Sequence, residues 1–167
     1  MSASSLTRTP SASSAPAVGQ LHPSDAFRSL AIRRLLSRHG QLWHQLVSTE
    51  LTSVQFGVLL CLGHSPEGLV QSELGARLHL DKATVTELVR RIGRRGLVTA
   101  NRDPDDGRRR IVSLTTAGRR ILTELHGPAV QVDRLLLAGL DAAEQQELDR
   151  LLTRALTAED AAGRDQP

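Results

Sequence analysis

Tyrosine is absent from this chain, and only two phenylalanines and one tryptophan occur among its 167 residues. Proteins that grip single-stranded nucleic acid stack bases on aromatic rings, so this composition argues against that class. It also leaves the core to Leu, Val, Ile and Ala, for which an apolar content of 40% is enough. The single cysteine, Cys61, excludes an internal disulfide framework and fits a reducing cytoplasm. The longest apolar run, residues 56–62, is far short of the roughly 20 residues that span a bilayer. The N-terminus has no apolar signal core, so neither secretion nor a membrane partner is expected. Catalytic signatures are missing too: there is no Gly-x-Ser-x-Gly elbow, phosphate-binding glycine loop or zinc-ligand spacing. His39 and His44 are five residues apart, off the four-residue step that pairs ligands on a helix. No enzyme, metal or cofactor is expected.

Charge is present but unevenly placed. Residues 81–120 hold eleven basic and five acidic side chains, a balance of +6 in a chain whose total is +3, so the remainder carries −3. A concentrated positive stretch on a mildly acidic chain is the footprint of a polyanionic partner. The bland alternative is a solvated basic face.

One domain is expected, with tails. Residues 1–22 are Ser-, Ala- and Pro-rich without periodicity and read as a disordered tail. Ser24 is a plausible N-cap for a helix to about residue 47, with Phe27, Leu30, Ala31, Leu35, Leu42, Trp43 and Leu46 at three- and four-residue steps. It is apolar over more than one face, as a helix that packs on a partner chain is. Thr52 can cap a helix over residues 53–64, apolar nearly all round and therefore buried. Leu69 and Val70 suit a very short strand. Residues 72–78 suit a short helix, and Asp81 suits an N-cap for the next one. Two short helices joined by about three residues have helix-turn-helix spacing.

The second of these helices places Val85, Leu88, Val89 and Ile92 on one face and Ala83, Thr86, Glu87, Arg90 and Arg94 on the other. Small and hydrogen-bonding side chains can approach base edges, and arginines can meet phosphate or guanine. Thr86, Glu87 and Arg90 are candidates for bases, and Arg94 and Arg95 for phosphate. The alternative for Glu87 is an ion pair with Arg90 or Arg91 one turn on. Gly96 suits a helix-ending C′ position. Strands are expected over residues 97–102 and 110–114, joined by an Asp-Gly turn loaded with arginine. This β-hairpin would touch backbone or minor groove beside the helix. The DNA-contacting set is thus Lys82, Thr84, Thr86, Glu87, Arg90, Arg91 and Arg94 from the helix, with Arg108 and Arg109 from the hairpin tip. Thr115 can cap a further helix, which Gly127-Pro128 should kink or break. Asp141 with Glu144 makes a capping box for a last helix over residues 142–156, striped with Leu148, Leu151, Leu152 and Leu156. Residues 159–167 should fray.

Three segments carry a resemblance: LTSVQFGVL at 51–59, QSELGARLHLDKATVTELVRRIGRRGLV at 71–98, and RDPDDGRRRIVSLTTAG at 102–118. Together they resemble the MarR (multiple antibiotic resistance regulator) family of bacterial winged-helix transcription factors, over about residues 26–158. The hairpin, or wing, has the signature Asp106, Arg108, Leu114 and Thr115. The resemblance implies a mainly α fold with a small β-hairpin: a winged helix-turn-helix at about 51–115, and a helical dimerisation layer from residues 24–48 and 116–157, all within 23–158. It implies a homodimer on a pseudo-palindromic double-stranded operator. Arg108 would insert from the wing toward the minor groove, with Asp106 orienting it by a charge-assisted hydrogen bond. The alternative for Asp106 is a simple turn residue. The segments AIRRLLSRHGQLW and LVSTELTSVQFGVL look like the branch released from DNA by aromatic carboxylates such as protocatechuate. Arg33 would then hold the carboxylate, His39 a ring hydroxyl, and Trp43 the apolar wall. The alternatives are a surface charge for Arg33 and dimer core for Trp43. Cys61 sits on a helix where a thiol is an inert apolar group, which argues against redox sensing. The expected function is a repressor released by a small aromatic or phenolic acid. An architectural DNA-binding protein without sequence preference shares the basic patch and is the alternative.

Overall fold

The computed structural model describes residues 27–162, with side chains to residue 157. The expected tail over 1–22, the Ser24 cap and the last five residues lie outside the described residues. Two compact units divide at residue 34. The described part of the first is the opening of helix α1 (Arg28–Leu46). There Phe27, Leu30 and Ile32 are exposed.

The second unit, residues 35–167, contains the rest of α1 and all other elements. These are α2 (Ser53–Gly63), β1 (Leu69–Val70), α3 (Gln71–Arg77), α4 (Lys82–Arg94), β2 (Val98–Arg102), β3 (Arg110–Leu114), α5 (Thr116–Leu136) and α6 (Ala142–Ala162). The hairpin is part of a three-stranded antiparallel sheet in the order β1-β3-β2, with Leu69 opposite Val112 and Val98 opposite Leu114. Two residues of β1 suffice to anchor the root of the wing to the start of α3.

Each helix begins where the local chemistry asks. Thr52 and Gln55 form a reciprocal capping box at α2. Asp81 caps α4, Thr115 caps α5, and Asp141 with Glu144 closes the box at α6. Gly96 takes φ 71°, and the Leu97 and Gly96 amides bond back to the Ile92 and Gly93 carbonyls. That is the paired closure of a glycine C′ residue, so α4 stops there and the chain turns into β2.

The core joins α2, α3, α4 and the sheet. Leu59, Leu62, Leu74, Ile92, Val58, Val85 and Val112 are fully buried within it. Gly118 lies where α5 crosses the start of the wing; a Cβ there would collide with the Leu97 carbonyl oxygen.

Two expectations need correction. Pro128 does not break α5; the helix runs unbroken from Thr116 to Leu136. A mid-helix proline costs about 3 kcal/mol. Here Ile121, Leu122, Leu125 and Ala129 pack on the core and Val132 is buried, so tertiary contacts hold both halves in one helix. The last helix also continues past residue 156 to Ala162, beyond the expected boundary at 158. Its Ala-rich sequence has no stop signal there.

Candidate nucleic-acid interface

The helix pair α3–α4 and the wing β2–β3 enclose a groove of about 840 Å³. Gln71 and Thr86 line its helical side with Arg90; Arg108, Arg109 and Arg110 line the wing side. One concave surface therefore gathers hydrogen-bonding groups opposite guanidinium groups.

Asp81 sets the start of α4. Its Oδ1 accepts from the Ala83 and Thr84 amides, both at 2.9 Å, and its Oδ2 accepts from the Thr84 hydroxyl at 2.5 Å. The Thr84 hydroxyl, with the Thr84 amide next, holds the Asp81 carboxyl below its ordinary value. Lys82 and Thr84 are exposed at this end. One turn on, the Thr86 hydroxyl donates to the Lys82 carbonyl at 2.7 Å and accepts from Gln71 Nε2 at 2.7 Å.

Glu87 is not a free acceptor. Its carboxylate takes Arg90 Nε at 2.8 Å and Nη2 at 2.7 Å, and Arg91 Nε at 3.0 Å. The Arg90 hydrogen bond, opposed by desolvation and helped by Arg91, lowers its pKa. The ion-pair alternative therefore describes Glu87 in the free protein, where it holds two guanidinium groups rather than presenting bare oxygens. Arg94 is exposed and makes no side-chain hydrogen bond or ion pair among the described residues. Arg95 instead donates to the Glu50 side chain and to the Glu50 carbonyl, so in the free protein its guanidinium is already partnered.

The wing tip differs from the sequence expectation in one respect. Asp106 Oδ1 accepts from the backbone amide of Arg108 at 3.0 Å, and the Asp106 carbonyl accepts from the Arg109 amide. No bond joins the Asp106 carboxylate to the Arg108 guanidinium among the described residues. Asp106 is a turn residue that shapes the backbone beneath Arg108. The charge partner in the wing is Asp103, which is buried, accepts from the Asp105 amide at 3.0 Å and lies 3.6 Å from Arg109 Nε. Sequence reasoning missed Asp103; its signal is the Asp-x-Asp spacing of a local side-chain-to-backbone turn. It also missed Gln71, whose contact with Thr86 spans fifteen residues and has no local signature.

Of the expected ligand residues, Arg33 is exposed in the first unit. His39 is half-buried, with its ring centroid 6.0 Å from that of Trp43. Trp43 is buried, packs on Phe56 at 5.4 Å and donates from Nε1 to the Leu51 carbonyl at 2.7 Å. It serves the core of its own chain. A cavity of about 190 Å³ adjoins it, lined also by His44, Ser48, Leu51 and Thr52 but not by His39. His44 enters here only through the structure.

Comparison with known proteins accords with this geometry. The sequence profile of the MarR family matches residues 49–109. The transcriptional repressor NicR of Pseudomonas putida is 33% identical over 134 residues, which is 79% of this chain and 84% of that protein. The PcaV transcriptional regulator of Streptomyces coelicolor, solved with its natural ligand, is 40% identical with a TM-score of 0.75, covering 83% of this chain and 94% of that one. BpsR of Bordetella bronchiseptica, whose DNA binding is regulated by 6-hydroxynicotinic acid, is 29% identical with a TM-score of 0.68, covering 77% and 97%.

Proposed function

Because the chain belongs to the MarR family of winged-helix transcriptional regulators, we propose that it acts as a homodimeric repressor, released from a pseudo-palindromic operator by a small aromatic or phenolic acid. The observation that carries the DNA half is the groove between α4 and the wing, with Thr86 and Arg90 facing Arg108 and Arg109. Lys82, Thr84, Arg91 and Arg94 surround it on α4 and supply contacts to phosphate. Asp106 contributes by shaping the tip.

Dimerisation is supported by apolar side chains that a lone chain leaves in water. Leu35 and Leu36 on α1, Val130 and Leu135 on α5, and Leu151, Leu152 and Leu156 on α6 are all exposed. Such surfaces mark association. The helices outside the winged domain would form the dimer layer.

The effector half rests on likeness. NicR is named a repressor, and 6-hydroxynicotinic acid regulates DNA binding by BpsR. Arg33 is the candidate anchor for a carboxylate, His39 for a ring hydroxyl, and Trp43 for the apolar wall.

Competition binding tests the reading. The duplex upstream of the protein's own gene should compete far better than a scrambled duplex; equal competition favours an architectural protein. Aromatic acids should release the complex, and Arg33→Ala should abolish release while sparing DNA affinity. Release from the variant at the same acid concentration removes Arg33 as anchor.

A further inference from the structure

Gln71 opens α3 directly after β1, and its side chain crosses to α4, where Nε2 donates to Thr86 Oγ1 at 2.7 Å. The Thr86 hydroxyl spends its hydrogen on the Lys82 carbonyl, so it meets Gln71 as an acceptor. Both residues line the groove with Arg90 and Arg108.

A primary amide has two N–H donors and a carbonyl acceptor. Thr86 takes one donor. The second N–H and Oε1 make no hydrogen bond among the described residues. A donor beside an acceptor on one planar edge complements adenine in the major groove, which offers N7 as acceptor and its N6 amino group as donor. Guanine offers two acceptors there. A free glutamine loses rotamer freedom on binding; the bond to Thr86 removes part of that loss beforehand.

We propose that Gln71 is a specificity-determining residue of the DNA interface, reading one adenine in each operator half-site with its amide edge, while Thr86 holds that edge in position. The proposal rests on the DNA-binding reading above and names the base chemistry of that same groove.

The test is selection from a pool of random duplexes by the full-length protein, beside Gln71→Ala and Thr86→Val. Melting midpoints confirm that both variants fold. The unaltered protein should select a consensus with an adenine in each half-site that Gln71→Ala no longer prefers and Thr86→Val prefers less. Placing 7-deazaadenine there, which lacks N7, should weaken binding of the unaltered protein about tenfold and leave Gln71→Ala unaffected. If the unaltered protein selects no consensus, the DNA-binding reading itself falls. If it selects one but tolerates 7-deazaadenine at every selected adenine, or Gln71→Ala keeps the same preferences, Gln71 does not read a base. A uniform loss across all sequences in Gln71→Ala also overturns the proposal, since it marks a phosphate or packing contact.

Discussion

Arg95, at the C-terminal cap of α4, clasps Glu50 in the segment that leads into α2. Nη2 donates to Glu50 Oε2 at 2.8 Å and Nη1 to the Glu50 carbonyl at 2.6 Å. The neighbouring Arg94 makes no such bond. Two adjacent arginines on one helix end therefore have different partners in the free protein. An exposed ion pair contributes under about 1 kcal/mol to stability, so Arg95→Ala should lower the melting midpoint only slightly. Its effect on DNA should be smaller still. Arg94→Ala should weaken binding evenly across sequences and reduce the salt slope by about one counterion, whereas Arg95→Ala should leave the slope unchanged. Binding measured from about 50 to 200 mM salt decides between them. Equal slopes for both variants would return Arg95 to the phosphate contacts.

The wing tip yields a second prediction. Arg108→Ala should cost about 1–3 kcal/mol of operator binding with the fold intact. Asp106 supports Arg108 by accepting from its backbone amide at 3.0 Å, not by pairing with its guanidinium. An asparagine carbonyl can accept that amide equally well. Asp106→Asn should therefore bind DNA nearly as the unaltered protein does, while Asp106→Ala loses part of the Arg108 contribution. If the asparagine variant binds as poorly as the alanine variant, the carboxylate charge is what matters.

What the sequence made legible follows the range of the interactions. The Asp81 and Thr115 caps, the capping box at Asp141 and Glu144, the Gly96 stop and the buried face of Val85, Val89 and Ile92 depend on neighbours within one or two turns. Each was readable from a short window. The pairing of Leu69 with Val112, the Gln71–Thr86 bond and the Arg95–Glu50 clasp join residues far apart along the chain, and no local pattern announces them. The expected break at Pro128 does not occur for the same reason, since packing by Leu125, Ala129 and Val132 outweighs a local helix penalty. For Glu87 the sequence offered a base contact or an ion pair, and only placed side chains show that Arg90 and Arg91 hold its carboxylate in the free protein.

Acid should weaken α4 through its cap. Hydrogen bonds from Thr84 hold the Asp81 carboxyl below its ordinary value of 3.8. A carboxyl whose folded value is depressed contributes stability above its unfolded value and loses it as pH falls through the folded one. The cap therefore supports the helix at neutral pH, and its contribution is lost as pH falls below the ordinary carboxyl value and through the depressed one. Asp81→Asn keeps an acceptor for the Ala83 and Thr84 amides but cannot titrate. Its stability in urea should fall less steeply than that of the unaltered protein between about pH 5 and 2. Glu87 is depressed by Arg90 and Arg91 and adds a slope of the same sign, so the dependence should shrink without vanishing. An unchanged slope in Asp81→Asn would show that the Asp81 carboxyl contributes nothing through its charge.

The turn between α3 and α4 carries strain at His79, whose φ is 51°. The Leu80 amide bonds to the Gly75 carbonyl at 2.9 Å and the His79 amide to the Ala76 carbonyl at 3.2 Å. This is the same paired closure that Gly96 makes at the end of α4, but with a side chain where glycine is favoured. A left-handed conformation costs a residue with a Cβ about 1–2 kcal/mol. Glycine removes that cost and returns part of the gain through a more flexible unfolded chain. His79→Gly should therefore stabilise the protein by about 0.5–1 kcal/mol, seen as a higher urea midpoint with an unchanged slope. The His79 side chain is exposed, so its loss removes no core packing. A lower midpoint would mean that the imidazole makes a stabilising contact that outweighs the backbone strain.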